Sequence, residues 1–384
     1  MLDAMNNRDT TTAISSAQEK RADTEQAKLF ITTNPGLEDV VKEELETLLE
    51  TADMPPVDIR LKPFGFGGQV WVEGGQPQAM EEVALTLRSV HHVLAPLHRF
   101  EIPATDGLQY IEAQVEALDI AEMAAAQTFR VTSRRSGKHD FGSLDIQRRA
   151  GAALWRHYGC AVDLENFDVN LRVDVFENVC LVGYQLTQKS LSKRYKRRFQ
   201  PRVALKASVA YAMLHFAHIK KGEDRRLLDP FCGSGTILFE AAQIFPQLSI
   251  HGCDIDHRVV DCARGNAEDL ELAERIDLRQ GDARELDKAF PDERFAYVIT
   301  NPPYGVRFGQ HLNFERFYTR ILQQIWHILE PGGRLVLIAW KRRQFMRALK
   351  LTGLFHKDLM RPIETGDLHP CIYVLTRIDR EEKT

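Results

Sequence analysis

From Val203 to the end of the chain, short apolar runs alternate with longer amphipathic stretches, and this alternation constrains the fold more than any other feature. The helical pattern VALKASVAYAMLHFAHI is followed by the strand RLLDPF, the helix TILFEAAQIF and the strand SIHGCD. A helix over 257–270, the strands IDLRQ and FAYVIT, the helix FERFYTRILQQIWHIL, the strand RLVLIAW and two further apolar runs complete the series. Apolar strands separated by helices fit a parallel sheet covered on both faces. A ligand of such a sheet lies at the carboxyl ends of its strands, near the point where the strand order reverses.

Four acidic or amide residues fall where these strands end: Asp229, Asp254, Asp282 and Asn301. The first belongs to LLDPFCGSGT, in which Gly233 and Gly235 let the backbone approach a ligand at a helix start. A dinucleotide fingerprint would need a further glycine where Leu238 stands, which argues against a nicotinamide oxidoreductase. Asp254, in HGCDID, can accept hydrogen bonds from both hydroxyls of a ribose. Asp256 is the alternative binder, or the cap of the next helix. Asp282, in QGDAR, can accept an exocyclic adenine amine or cap the segment that follows. The last strand runs into TNPPYG, where two prolines remove two donors, fix two φ angles and stop the strand at Asn301.

The upstream half reads differently. Residues 1–27 are polar, lack aromatic residues and have the composition of a disordered tail. KLFITTNPG and QVWVEG read as strands, LEDVVKEELETLLE and EEVALTLRSVHHVL as helices, giving a small α+β unit over 28–99 that places His91 and His92 on a helix. A second unit over 100–190 holds helices at IEAQVEAL and SLDIQRRAGAALWRHYG, a strand at FRVTSR, and a strand pair turning at Glu177-Asn178. A basic linker over 191–202 leads to the alternating unit at 203–384. No Asp or Glu occurs from Asn178 to Gly222, whereas Lys189, Lys193, Arg194, Lys196, Arg197 and Arg198 are interleaved with Tyr195 and Phe199. Such a stripe suits an RNA backbone, and Arg130, Arg134, Arg135 and Lys138 are read as extending it.

The order DPFCGSGT, GCDID, QGDAR, TNPPYG resembles the class I S-adenosylmethionine-dependent methyltransferases, and NPPY resembles those acting on amino groups of planar substrates. With NPPYG-V-R, the PRVALKASVAYAML segment and the 100–190 unit, the chain is similar to the THUMP-containing RNA guanine-N2 methyltransferases over about residues 28–384. That resemblance implies an α/β fold: a C-terminal Rossmann-like methyltransferase domain with a mostly parallel sheet, preceded by α+β ferredoxin-like and THUMP-like units. It implies S-adenosyl-L-methionine as cofactor, held by Asp229, Phe231, Gly233, Gly235, Thr236, Asp254, Ile255, Asp282, Ala283 and Asn301. RNA, either rRNA or tRNA, is the implied partner. Two positions depart from the family pattern: Val306 stands where an acidic residue is common, and QLTQKS replaces an Asp-x-Ser-Gly turn.

On this reading Asn301, Pro302 and Tyr304 are the catalytic residues. An exocyclic amine is a poor nucleophile because its lone pair is delocalised into the ring. Accepting its two hydrogens at Asn301 Oδ1 and the Pro302 carbonyl favours a pyramidal nitrogen and stabilises the positive charge that grows during attack. Tyr304 stacks on the flipped base, and Gly305 permits close approach. Adenine-N6 methylation, methylation of a glutamine amide and non-catalytic RNA binding are the competing readings. The remaining bounds are general. A net charge of −4 excludes a uniformly cationic binder, and six cysteines without C-x-x-C spacing suit core thiols in a reducing compartment. No metal site, no membrane span, a cytoplasmic setting and a monomer are expected.

Overall fold

The computed structural model describes residues 26–195, 198, 204–220, 222–304 and 313–379. They form two compact units, one of residues up to Thr33 with Val41–Leu191, the other of Asn34–Val40 with the chain from Ser192 onward.

In the first unit β1 (Lys28–Thr33), β2 (Asp58–Leu61), β3 (Gln69–Glu73), β4 (Val90–Glu101), β5 (Thr128–Thr132), β6 (Arg135–Ser136), β7 (Ala161–Val162), β8 (Val169–Phe176) and β9 (Val179–Gln185) form one sheet. Its order is β2-β3-β1-β4-β9-β8-β5-β7, with β6 on β8. Helices α1 (Glu38–Thr51), α2 (Pro77–Leu85), α3 (Gly107–Glu116), α4 (Ala121–Ala125) and α5 (Ser143–Tyr158) belong to the same half of the chain. Alternation works as the residues suggest: Leu29 and Ile31 of β1 meet Val41 and Leu45 of α1, and Ile111 and Ile146 of α3 and α5 cover Val169 and Leu171 of β8. The expected turn at Glu177-Asn178 is present, with Phe176 paired to Val179 and Glu177 at φ 50°.

Two expectations change. The sheet runs through the division drawn at residue 99, because β4 pairs with β1 on one side and β9 on the other. The helix read through His91-His92 ends at Leu85, and both histidines lie in β4. Buried Glu44 causes this: its carboxylate accepts the Arg88 N–H at 2.7 Å and the Ser89 N–H at 3.0 Å, donors that a continuing helix would need for itself.

The second unit contains α6 (Ala207–Phe216), β10 (Arg226–Asp229), α7 (Thr236–Ile244), β11 (Ser249–Asp254), α8 (His257–Asp269), β12 (Ile276–Gln280), α9 (Leu286–Ala289), β13 (Phe295–Thr300), α10 (Phe314–Ile328), β14 (Leu329–Ala339), α11 (Arg342–Thr352), β15 (Phe355–Pro362) and β16 (Cys371–Arg377). The sheet order is β12-β11-β10-β13-β14-β16-β15, with β16 alone running antiparallel to its neighbours and so to the rest. Apolar cores lie on both faces, one against α6–α8 and the other against α10 and α11. The strand order reverses between β10 and β13, so the crevice of an open parallel sheet opens above those two strands. Asn34–Val40 completes this unit: Asn34 donates to the Glu364 carbonyl at 2.7 Å and accepts from Ser208 Oγ at 3.2 Å, and Asp39 pairs with Arg361 at 2.6 Å.

Candidate cofactor and base site

At the reversal point, β10 ends in Asp229 and β13 in Thr300. Asp229 is 1% exposed, and its Oδ1 accepts the Thr300 hydroxyl at 2.7 Å and the Phe231 N–H at 3.1 Å. Burial pushes its carboxyl up to about 7. The residue read as a cofactor ligand is therefore a brace that ties the glycine turn to the strand carrying Asn301. Thr300, which no pattern in the sequence singles out, supplies the other half of that brace.

The turn after β10 shows why its glycines sit where they do. Gly235 has φ 91°, and a Cβ there would meet the Phe239 ring at 2.4 Å. Gly233 has φ 51°, and its Cβ direction is open, with only the Phe231 carbonyl at 4.0 Å. The first glycine thus leaves room above the backbone, while the second lets α7 pack. Thr236 is buried and its hydroxyl donates to the Leu205 carbonyl at 3.3 Å, so its side chain holds the preceding segment instead of lining the turn.

Asp254 and Asp256 separate clearly. Asp256 caps α8 by accepting the Arg258 N–H at 3.0 Å, and the Arg258 guanidinium holds its carboxyl below the usual range. Asp254 accepts the Gly233 N–H at 3.2 Å and the Asp256 N–H at 3.2 Å, and burial raises its pKa. It is the partly buried carboxylate beside the open glycine, with Ile255 exposed next to it. Asp282 is already engaged: Arg284 approaches it with its N–H at 2.8 Å and with its guanidinium at 2.6 Å, and this cation depresses its pKa. Ala283 is buried in the core and offers no side-chain surface. Phe231 is half-buried, edge-on to Phe317 at 5.9 Å.

Asn301 follows directly. Its Oδ1 is buried and has no hydrogen-bond partner among the described residues. An acceptor withdrawn from water and left unmatched is costly, and its presence at the tip of a central strand points to a donor supplied by a ligand. Pro302 is buried, and Tyr304 is half-buried against the apolar core, where burial raises its phenol pKa. Gly305 and Val306 lie outside the described residues.

The basic stripe is only partly free. Arg194 lies 3.3 Å from Glu240, a fully buried carboxylate on α7 that also accepts the Tyr195 hydroxyl at 2.7 Å. Arg198 pairs with Asp269 through both ends of its guanidinium. These two arginines are paired with acids of the second unit, which leaves less of their charge for a phosphate. Lys189 and Lys193 are exposed, as are Arg134 and Lys138, whereas Arg135 donates to the Gly137 carbonyl at 2.6 Å; Lys196 and Arg197 lie outside the described residues. Asn266 is a residue that sequence reasoning misses. It is fully buried, accepts the Arg198 N–H at 3.1 Å and donates to the Ser234 carbonyl in the glycine turn at 3.3 Å. A polar residue on the apolar face of the α8 pattern, between Ala263 and Ala267, is the signal that could have found it. Asn266→Ala should lower stability by about 1–3 kcal/mol in urea denaturation, because the Ser234 carbonyl loses that donor.

Comparison with known proteins follows the same division of the chain. Residues 107–184 match the THUMP domain family and residues 194–368 the RMKL-like methyltransferase domain family. A tRNA (guanine(6)-N2)-methyltransferase of Thermus thermophilus is 35% identical, covering 91% of this chain and 99% of its own. One from Archaeoglobus fulgidus is 30% identical over 85% of this chain and 86% of its own. The crystal structure of TrmN from Thermus thermophilus superimposes with a TM-score of 0.75 at 33% identity, covering 91% of this chain and 99% of that one.

Proposed function

We infer the chemistry from one premise: the chain belongs to the THUMP-containing, class I S-adenosylmethionine-dependent RNA (guanine-N2-)-methyltransferases. It methylates the exocyclic N2 amine of guanine in RNA, tRNA at least. We assign the cofactor to the crevice above β10, β11 and β13. The open side of Gly233, the Asp254 carboxylate and the exposed Ile255 suit a nucleoside whose ribose hydroxyls need an acceptor and whose base needs an apolar cover. S-adenosylmethionine bound there supplies a methyl group made electrophilic by its sulfonium centre.

The observation that carries the reading is the buried, unmatched Oδ1 of Asn301. It accepts one hydrogen of the guanine amine and the Pro302 carbonyl the other, so the nitrogen lone pair is directed outward and the developing charge meets two fixed dipoles. Pro302 and Pro303 hold both acceptors rigid, and the Asp229–Thr300 brace fixes the strand end from which they project. Tyr304, held against the core, stacks on the base with the part of its ring left exposed. No general base is required before transfer: the N–CH3 bond would form as the S–CH3 bond breaks, and the surplus proton of the nitrogen would pass to solvent afterwards. The expected product with unmodified tRNA transcript is N2-methylguanosine; N6-methyladenosine in its place would overturn the substrate assignment and keep the amine chemistry.

Cofactor affinity tests the assignment of Asp254. Hydrogen bonds to a charged acceptor contribute about 1.5–3 kcal/mol, so Asp254→Ala should weaken S-adenosylmethionine roughly 10- to 150-fold by calorimetry. Unaltered affinity in the folded variant would remove the role. Asp256→Ala should leave affinity nearly as it is and cost about 1 kcal/mol of helix capping.

A further inference from the structure

The carboxyl end of β14 carries a feature that the reaction as described leaves unused. The pairing of β13 with β14 ends with Thr300 opposite Leu337, so Asn301 and the end of β14 at Ala339 lie at the same carboxyl edge of the sheet. Trp340 and Lys341 leave the sheet at that same edge, directly after β14. Lys341 is the N-cap of α11, and Arg342 and Arg343 form its first turn, which contains no acidic residue and no side-chain cap. Both arginines are exposed.

This arrangement runs against helix electrostatics. The amino end of a helix carries unsatisfied N–H groups and a partial positive charge, which favours anions and disfavours cations. Among the described residues no carboxylate lies within ion-pair distance of Lys341, Arg342 or Arg343, whereas Arg347 one turn later has Glu315 at 3.7 Å. Lys341 Nζ instead sits 4.4 Å from the centre of the Trp340 ring and 5.9 Å from that of Phe314. The rings offset the cost for Lys341 alone, whereas an anion placed there relieves all three cations at once. The unmatched Asn301 Oδ1 lies at the same edge of the sheet, and the sugar–phosphate strand of a base entering there would be such an anion.

We propose that Lys341, Arg342 and Arg343, with the first turn of α11, bind the RNA phosphates flanking the methylated guanosine. The site rests on the reading of Asn301 as the amine acceptor. It replaces the contribution expected from Arg194 and Arg198, whose charges are matched within the fold.

The test is the salt dependence of binding to an unmodified tRNA transcript, compared between the wild-type chain and Lys341→Gln/Arg342→Gln/Arg343→Gln. Every phosphate that the protein no longer neutralises should flatten the plot of log affinity against log salt by about 0.7–0.9, so the triple variant should be shallower by up to about 2–2.7. Its KM for RNA should rise at least about tenfold near 0.15 M salt, and its Kd for S-adenosylmethionine should stay within about twofold. Arg343→Gln alone, at an exposed position, should flatten the slope by about a third as much and guards against misfolding of the triple variant. Arg198→Gln should leave the slope as it is. Wild-type slopes in both glutamine variants would overturn the site. A flattened slope with no N2-methylguanosine formed by the wild-type chain would instead uphold the site and overturn the reading of Asn301.

Discussion

Asn301→Ala should slow single-turnover methyl transfer by about 10²–10³ with both ligands saturating, while their affinities stay within a few-fold of wild type. The alanine removes one acceptor that is needed most as the amine nitrogen becomes pyramidal and positive. It leaves Gly233, Asp254 and the Asp229–Thr300 brace in place. It also removes a buried unmatched oxygen, so the free variant should be at least as stable as the wild type. A slower and more stable enzyme is the signature of a group kept for chemistry at the expense of folding. Asn301→Asp keeps an acceptor of the same size and should retain partial activity. Wild-type rates from the alanine variant would sink the mechanism, and equal losses in the two variants would reduce Asn301 to a binding contact.

The second large effect concerns pH. The ordinary carboxyl value for Asp229 is 3.8, and burial lifts it to about 7. Between those two values the folded chain holds a proton that the unfolded chain has released, so this group's contribution is fully present below pH 4. It declines as pH rises from about 4 to 7 and levels off above that, by about 4 kcal/mol in total. Asp229→Asn keeps an oxygen acceptor for the Thr300 hydroxyl and the Phe231 N–H but cannot ionise. The stability difference between variant and wild type should therefore move in the variant's favour across that window, by up to about 4 kcal/mol in urea denaturation. A difference that stays constant from pH 4 to pH 8 would show that Asp229 ionises freely despite its burial.

Much of the second unit is legible in the sequence because its strands are apolar and end in chemically distinctive residues. The tips at Asp229, Asp254 and Asn301 mark the ends of β10, β11 and β13, and they flank the point of strand-order reversal. Nearness to the strand end favours Asp254 over Asp256, although both are carboxylates just before a helix; what the local pattern does not show is Arg258, which engages Asp256. The pairing within the basic stripe is hidden for a related reason. Glu240 and Asp269 lie far along the chain from Arg194 and Arg198, so a count of acids within the segment cannot reveal the pairing. The helix expected through His91-His92 fails because Glu44, on another helix, accepts the N–H groups of Arg88 and Ser89. The Lys341-Arg342-Arg343 run is visible as letters, and only the register of β13 with β14 gives it a place beside the site.

The seven-residue passage Asn34–Val40 sets the order in which this protein can mature. Its partners on the catalytic side include Ser208, 174 residues downstream, Arg361, 322 residues downstream, and Glu364, 330 residues downstream. A ribosome has therefore released nearly the whole chain before the passage can complete the sheet-bearing half to which it belongs. Contacts of such long sequence separation form slowly, because the loop they close is costly before any contact rewards it. A nascent chain must carry Leu37 and Val40, both destined for full burial, unprotected through most of its synthesis. Expression of the region from Ser192 onward by itself would leave a vacancy where those two side chains belong, so the catalytic half is a structural domain without being an independent translational one.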